Sequence, residues 1–184
     1  MTTKSTAAVS TVIRLEGVAM SFPTFANPLP DQLVFEFMWK FSAFECAIKR
    51  LGCYKPKGKD GPAETNWDDY ANRLEEQGVK TATTFLAAAY ALVKLAPKQQ
   101  IVKDGKLGWS DVVRGDGEIY ARFVLRLVCT VRNNLFHGGK YEDGPAHEVA
   151  RNKALLEAAL AVLTECYEFD QELQYWIYDV ANAA

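Results

Sequence analysis

The chain has 184 residues, the size of one domain, which buries roughly 70% of its unfolded surface. With 49% hydrophobic and 24% charged residues, the composition excludes an intrinsically disordered chain. A formal net charge of -2 excludes a protein-wide positive field for nucleic acid, so any polyanion must be gripped locally.

Residues 1–30 are small, polar or turn-forming, with Pro23, Pro28 and Pro30 near their end, and read as an amino-terminal arm or extended lead-in. Residues 31–184 read as one helical domain. Asp31 is placed to cap a helix in which Val34, Phe37, Phe41, Phe44, Ile48 and Leu51 recur at steps of three and four. Phe35 and Trp39 lie off that stripe, so this helix needs cover on a second side, and a dimer partner is one candidate. Gly52 and the tract "KPKGKDGPAE" then read as a solvated loop.

Asn66, followed by Asp68 and Asp69, caps a helix running to about Gln77 and broken by Gly78. The segment "KTATTFLAAAYALVKLA" is a buried helix, apolar at Phe85, Ala89, Leu92 and Ala96 and stopped by Pro97. Asp104-Gly105 then sits between short apolar pieces, which suits either a small hairpin or a plain loop. A long helix is expected from about Gly117 to His137, ended by Gly138 and Gly139. After a turn at "EDGPAH", a final helix is expected from about Ala146 to Val180, with Val149, Leu156, Leu160, Leu163 and Tyr167 at helical steps. The sum is an all-α antiparallel bundle whose longest helix pair folds around the turn at 138–145.

Cys46, Cys53, Cys129 and Cys166 form no C-x-x-C pair and accompany no secretory signal, so free thiols in a reducing cytoplasm are expected. The amino-terminal apolar run is interrupted by Arg14 and Glu16, and "FLAAAYALVKLA" is too short to span a bilayer, so no membrane association is expected. Two histidines and scattered cysteines offer no zinc spacing, and there is no phosphate-cradling G-x-x-x-x-G-K-[ST] loop. Neither a metal nor a cofactor is assigned.

The segment "VRNNLFHGGK" carries the chemistry. Arg122, Arg126, Asn133 and His137 share one side of their helix, opposite Phe123, Leu127, Val128, Val131 and Leu135. Arg132 is long enough to fold toward Asn133 at the same end. An imidazole that exchanges protons near neutrality, beside a permanent guanidinium, is the minimum equipment for metal-free RNA cleavage. The same pattern also suits a helix whose last carbonyls are simply bonded by Arg132 and His137. Arg122, Arg126, Lys140 and Arg151 are candidates to meet RNA phosphates. His147 reads as a solvated first-turn residue, and Glu45 with Lys49 as a helix-face ion pair.

"RNNLFH", residues 132–137, resembles the R-x4-6-H motif of the HEPN superfamily, including the polar residue that follows the arginine. "FSAFECAIK", residues 41–49, is similar to the F-x-x-F-E-x-x-hydrophobic-K segment of a first helix in bacterial members. The resemblance in architecture covers about residues 31–181, with these two stretches as its specific part. It implies an all-α bundle that dimerises so that two motifs face one cleft, and metal-independent endoribonuclease activity leaving a cyclic phosphate. By position Arg132 and His137 would be catalytic, Asn133 would support them, and Glu45 would help hold the arginine. RNA, a second copy of the chain and an antitoxin or other protein are the partners this implies; members without the chemistry bind nucleotides or serve as assembly modules.

Overall fold

The computed structural model describes residues 12–15, 18–21, 29–57, 59–136 and 146–182, with the backbone alone at 12–15, 18–21, 146–148, 180 and 182. Among them six α-helices build the body: α1 (Asp31–Arg50), α2 (Trp67–Glu76), α3 (Thr83–Leu95), α4 (Tyr120–Phe136), α5 (Ala146–Phe169) and α6 (Gln171–Asn182). Three two-stranded antiparallel ribbons are added, so the fold is mainly helical and not purely all-α as expected. They are β1 (Val12–Leu15) with β2 (Val18–Ser21), β3 (Tyr54–Pro56) with β4 (Ala63–Thr65), and β5 (Lys98–Lys103) with β6 (Lys106–Asp111). No helix among the described residues is long and apolar enough to cross a membrane.

The helical periodicities decide what is buried. From α1, Phe37, Phe41, Phe44 and Ile48 enter one core with Tyr70 and Leu74 of α2, Phe85 and Leu92 of α3, Leu125 and Val128 of α4, and Leu156 and Leu163 of α5. Each such side chain removed from water contributes ~1.5–3 kcal/mol. α5 packs most extensively on α3, α1 packs on α6 and α5, and α4 packs on α2 and α5. The expected turn at 138–145 lies outside the described residues.

Capping explains most of the boundaries. Asn66 Oδ1 accepts from the Asp69 N–H at 3.3 Å, the expected cap of α2. Asp31, by contrast, does not cap α1: it is the first helical residue, Pro30 holds the cap position, and no side chain bonds there. Its carboxylate acts only as first-turn charge. α3 ends in Ala96, whose φ of 46° is unusual for a residue with a Cβ. The Arg151 guanidinium bonds the carbonyls of Leu95 and Ala96 at 3.1 and 3.0 Å, fixing that end.

Two further expectations fail. The tract after Gly52 is not only a loop: Tyr54 pairs with Thr65, Lys55 with Glu64 and Pro56 with Ala63. Three-residue strands are too short to show alternation, so nothing periodic announces them. Its tip depends on a close approach, since a Cβ at Gly61 would lie 1.5 Å from the Lys57 carbonyl oxygen.

The final helix is also two helices. Asp170, 1% exposed, stops α5 and starts α6 because its Oδ1 accepts from the N–H groups of Glu172 and Leu173 at 3.1 and 3.2 Å. Its buried charge is met by Arg73 of α2, Nε to Oδ2 at 3.0 Å and Nη2 to Oδ1 at 3.3 Å, with Glu172 on the same guanidinium at 2.7 Å. Asp170→Ala therefore removes a cap and leaves Arg73 half-buried with one partner fewer; a loss of ~3 kcal/mol is expected from the urea midpoint. A loss within a few tenths of a kcal/mol would show that the cap and ion pair contribute nothing net.

Candidate functional site

The end of α4 is where the sequence placed its chemistry, and the structure describes that helix as far as Phe136. Arg132 is half-buried there, its guanidinium carbon 5.4 Å from the Phe41 ring centroid and 4.7 Å from that of Phe136. Two aromatic faces thus orient one cation, each contact being worth ~0.5–1 kcal/mol. Nη1 donates to Asn133 Oδ1 at 3.0 Å, so the expected meeting of these neighbours occurs. Nε is buried and makes no hydrogen bond to the described residues, and no carboxylate among them pairs with this guanidinium.

Glu45 lies one turn beyond Phe41 on α1, and its charge and that of Arg132 both reach half-buried Cys129. Burial, with the Glu45 charge adding to it and the Arg132 charge opposing it, pushes the Cys129 thiol up to about 12. Glu45 makes no bond to Arg132, however, and it is Phe41 that holds the guanidinium. All four cysteines are free.

The other arginines singled out from the sequence have internal partners. Arg122 donates to Asn72 Oδ1 at 2.9 Å and faces Asp68 at 3.6 Å, tying α4 to α2. Arg126 grips both oxygens of Glu118 at 3.1 and 2.8 Å, and donates to the Val113 carbonyl at 2.9 Å. Arg151 closes the end of α3. None of the three presents an uncommitted charge. His137 and Lys140 lie outside the described residues, and of His147 only the backbone at the start of α5 is described.

Two contributors were missed from the sequence. Phe136, four residues after Arg132 and 50% exposed, was legible as an i, i+4 cation–aromatic pair. Asn134 was not: its Nδ2 donates to the Lys98 carbonyl at 2.7 Å, fastening the root of the β5–β6 ribbon to this end of α4. No side-chain pattern announces a bond to a backbone carbonyl thirty-odd residues away. Among the described residues no cluster of three His, Cys, Asp or Glu side chains is arranged to hold a metal. Comparison with protein-family models, with curated proteins and with solved structures yields no match.

The start of α4 carries its own latch. Burial pushes the Glu118 carboxyl up, but the Arg126 hydrogen bonds, the Gly115 N–H at 2.8 Å and the charges of Arg126 and Arg122 hold it below the ordinary carboxylate range. A depressed folded pKa contributes stability that is present above the unfolded value of about 4.3 and is lost as pH falls through the folded value. Glu118→Gln should lower stability at neutral pH by ~1–2 kcal/mol and flatten its decline on acidification, read as urea midpoints across that range. Superimposable acid limbs for the two proteins would show that this carboxylate does not report on folding.

Proposed function

We propose that the protein is a metal-independent endoribonuclease with the helical architecture of the HEPN superfamily, acting as a homodimer. One observation carries this reading: Arg132, five positions before His137, is oriented by two aromatic rings with neither the carboxylate partner that Arg122 and Arg126 have nor the helix-end carbonyls that hold Arg151, among the described residues. A guanidinium stacked between Phe41 and Phe136 keeps donors for the non-bridging oxygens of a phosphate, and it stabilises the charge that builds on pentacoordinate phosphorus. His137 removes the proton of the 2′-hydroxyl as that oxygen attacks phosphorus. The bond to the 5′-oxygen breaks and that oxygen takes up a proton, leaving a 2′,3′-cyclic phosphate and a 5′-hydroxyl.

One Arg–His pair supplies few donors, so two facing copies form the working cleft. The second side of α1 supports a self-contact: Val34, Phe35, Met38 and Trp39 line a shallow cavity of about 440 Å³, with Phe35 and Trp39 exposed. An RNase of this kind fits a cytoplasmic defence, stress or toxin–antitoxin setting in which a protein partner restrains it. One observation favours a second reading, a non-catalytic helical module binding RNA, a nucleotide or a protein: Arg122, Arg126 and Arg151 are all engaged internally.

The test is single-stranded RNA incubated with the protein in EDTA. The wild type should leave cyclic-phosphate ends and spare DNA, which lacks the attacking hydroxyl. Arg132→Ala and His137→Ala should each lose ~100-fold or more in rate, and Arg132→Lys should recover little because an ammonium neither stacks nor forks. Cleavage that survives both alanine variants sinks the proposal, and RNA binding without cleavage favours the second reading.

A further inference from the structure

The β5–β6 ribbon has two long edges, and the rest of the molecule meets only one of them. Its turn, Asp104-Gly105, has φ values of 51° and 73°, the left-handed pair of a two-residue hairpin. Such a turn is closed by a hydrogen-bonded pair, here Lys103 with Lys106, and hydrogen-bonded and non-hydrogen-bonded pairs alternate from there. Leu107 and Trp109 therefore turn their N–H and C=O groups away from β5, as Lys98 turns its own away from β6. The Lys98 carbonyl is taken by Asn134 Nδ2 at 2.7 Å, so the β5 edge lies against α4. The β6 edge has no strand beside it, and nothing among the described residues bonds the outward groups of Leu107 or Trp109. Exposed edges are ordinarily guarded by prolines, bulges or charges. β6 has neither a proline nor a bulge, and its one lysine, Lys106, stands at the tip end. Leu107 and Trp109 share a face and are 63% and 41% exposed.

We infer that β6 pairs antiparallel with β6 of a second copy of this chain, around a two-fold axis at Gly108. The two ribbons become one four-stranded sheet, which relieves the marginal stability of a two-stranded ribbon. Self-complementarity of the strand selects the occupant. Opposed residues must lie on the same face, and the bonded ones must carry outward groups, so few registers exist. With Gly108 on the axis, Leu107 of each copy exchanges both hydrogen bonds with Trp109 of the other, apolar against apolar. With Trp109 on the axis, Asp111 would stand opposite Leu107, and with Leu107 on the axis, Trp109 would stand opposite the turn at Gly105. Charge agrees with the Gly108 register. The tips, each with Lys103 facing Lys106, stay at opposite ends of the sheet, and Lys106 lies opposite Ser110 and one residue along from Asp111 of the second copy. A Cβ at Gly108 would meet nothing within 4 Å, so the axis is unobstructed. The contact uses neither the Arg132 site nor the α1 face, so it stands or falls separately from the nuclease reading.

The register is tested by cross-linking the full chain under mild oxidation. In a non-hydrogen-bonded pair the Cα atoms lie about 4.5 Å apart, within reach of a disulfide, so Gly108→Cys should form a dimer joined at residue 108. Lys106→Cys, equally exposed but four positions out of register with its copy, should cross-link at least tenfold less. Self-association is then measured by sedimentation in a Trp39→Glu background, which disables the separate self-contact proposed for α1. Leu107→Pro removes an outward N–H without touching the internal ladder and should weaken association tenfold or more. Leu107→Lys and Trp109→Glu should each weaken it similarly, and a mixture of the two should associate more tightly than either alone. Circular dichroism should show every variant folded.

A folded Gly108→Cys protein that cross-links no better than Lys106→Cys overturns the inference, as does association in the Trp39→Glu background that ignores Leu107→Pro. A protein that stays monomeric there, while an added peptide of another sequence protects the Leu107 and Trp109 amides from hydrogen exchange, overturns the second copy in favour of a foreign strand.

Discussion

The stack of Arg132 between Phe41 and Phe136 is the constraint on which the functional account turns. A free arginine side chain has four rotatable bonds and a strongly solvated head, so positioning one usually takes a carboxylate. A carboxylate would also cancel the charge. Two aromatic rings orient the cation while leaving it a full positive charge toward an incoming anion. Phe41 is fixed by its place in the α1 core stripe and Phe136 by the last turn of α4, so helix packing itself aims the guanidinium.

The fates of the four arginines follow from what lies within reach. Arg126 meets Glu118 and Arg122 meets Asp68 and Asn72, which converts their charge into ties between α4 and its surroundings. Arg151 meets only carbonyls, yet those are the orphaned acceptors at the end of α3. Arg73 has its counterpart in Asp170, a buried charge that also sets the break between α5 and α6. Structure thus consumes most of the cationic groups near α4, whereas Arg132 keeps no carboxylate partner among the described residues.

The helical body was legible because long amphipathic segments repeat their signal many times. Phe37, Phe41, Phe44 and Ile48 announce the buried side of α1, and Asn66 announces the start of α2 by its side-chain chemistry. Short or long-range features were not. The β3–β4 ribbon is three residues per strand, and Asp170 interrupts an apolar rhythm that continues on both sides of it. At the site, adjacency gave Arg132 with Asn133, whereas the choice between Glu45 and Phe41 as holder depends on how α1 and α4 are rotated against each other. Periodicity fixes which side of a helix is buried, not which turn of its neighbour it meets.

The state of the Arg132 guanidinium can be observed directly in nitrogen–proton correlation spectra of the arginine Nε–H groups. The Arg132 signal should be displaced by the ring currents of Phe41 and Phe136, return toward an ordinary exposed position in Phe41→Leu, and move when an uncleavable oligoribonucleotide is added. A signal at the ordinary position from the outset, indifferent to Phe41→Leu and to the oligonucleotide, would contradict the account.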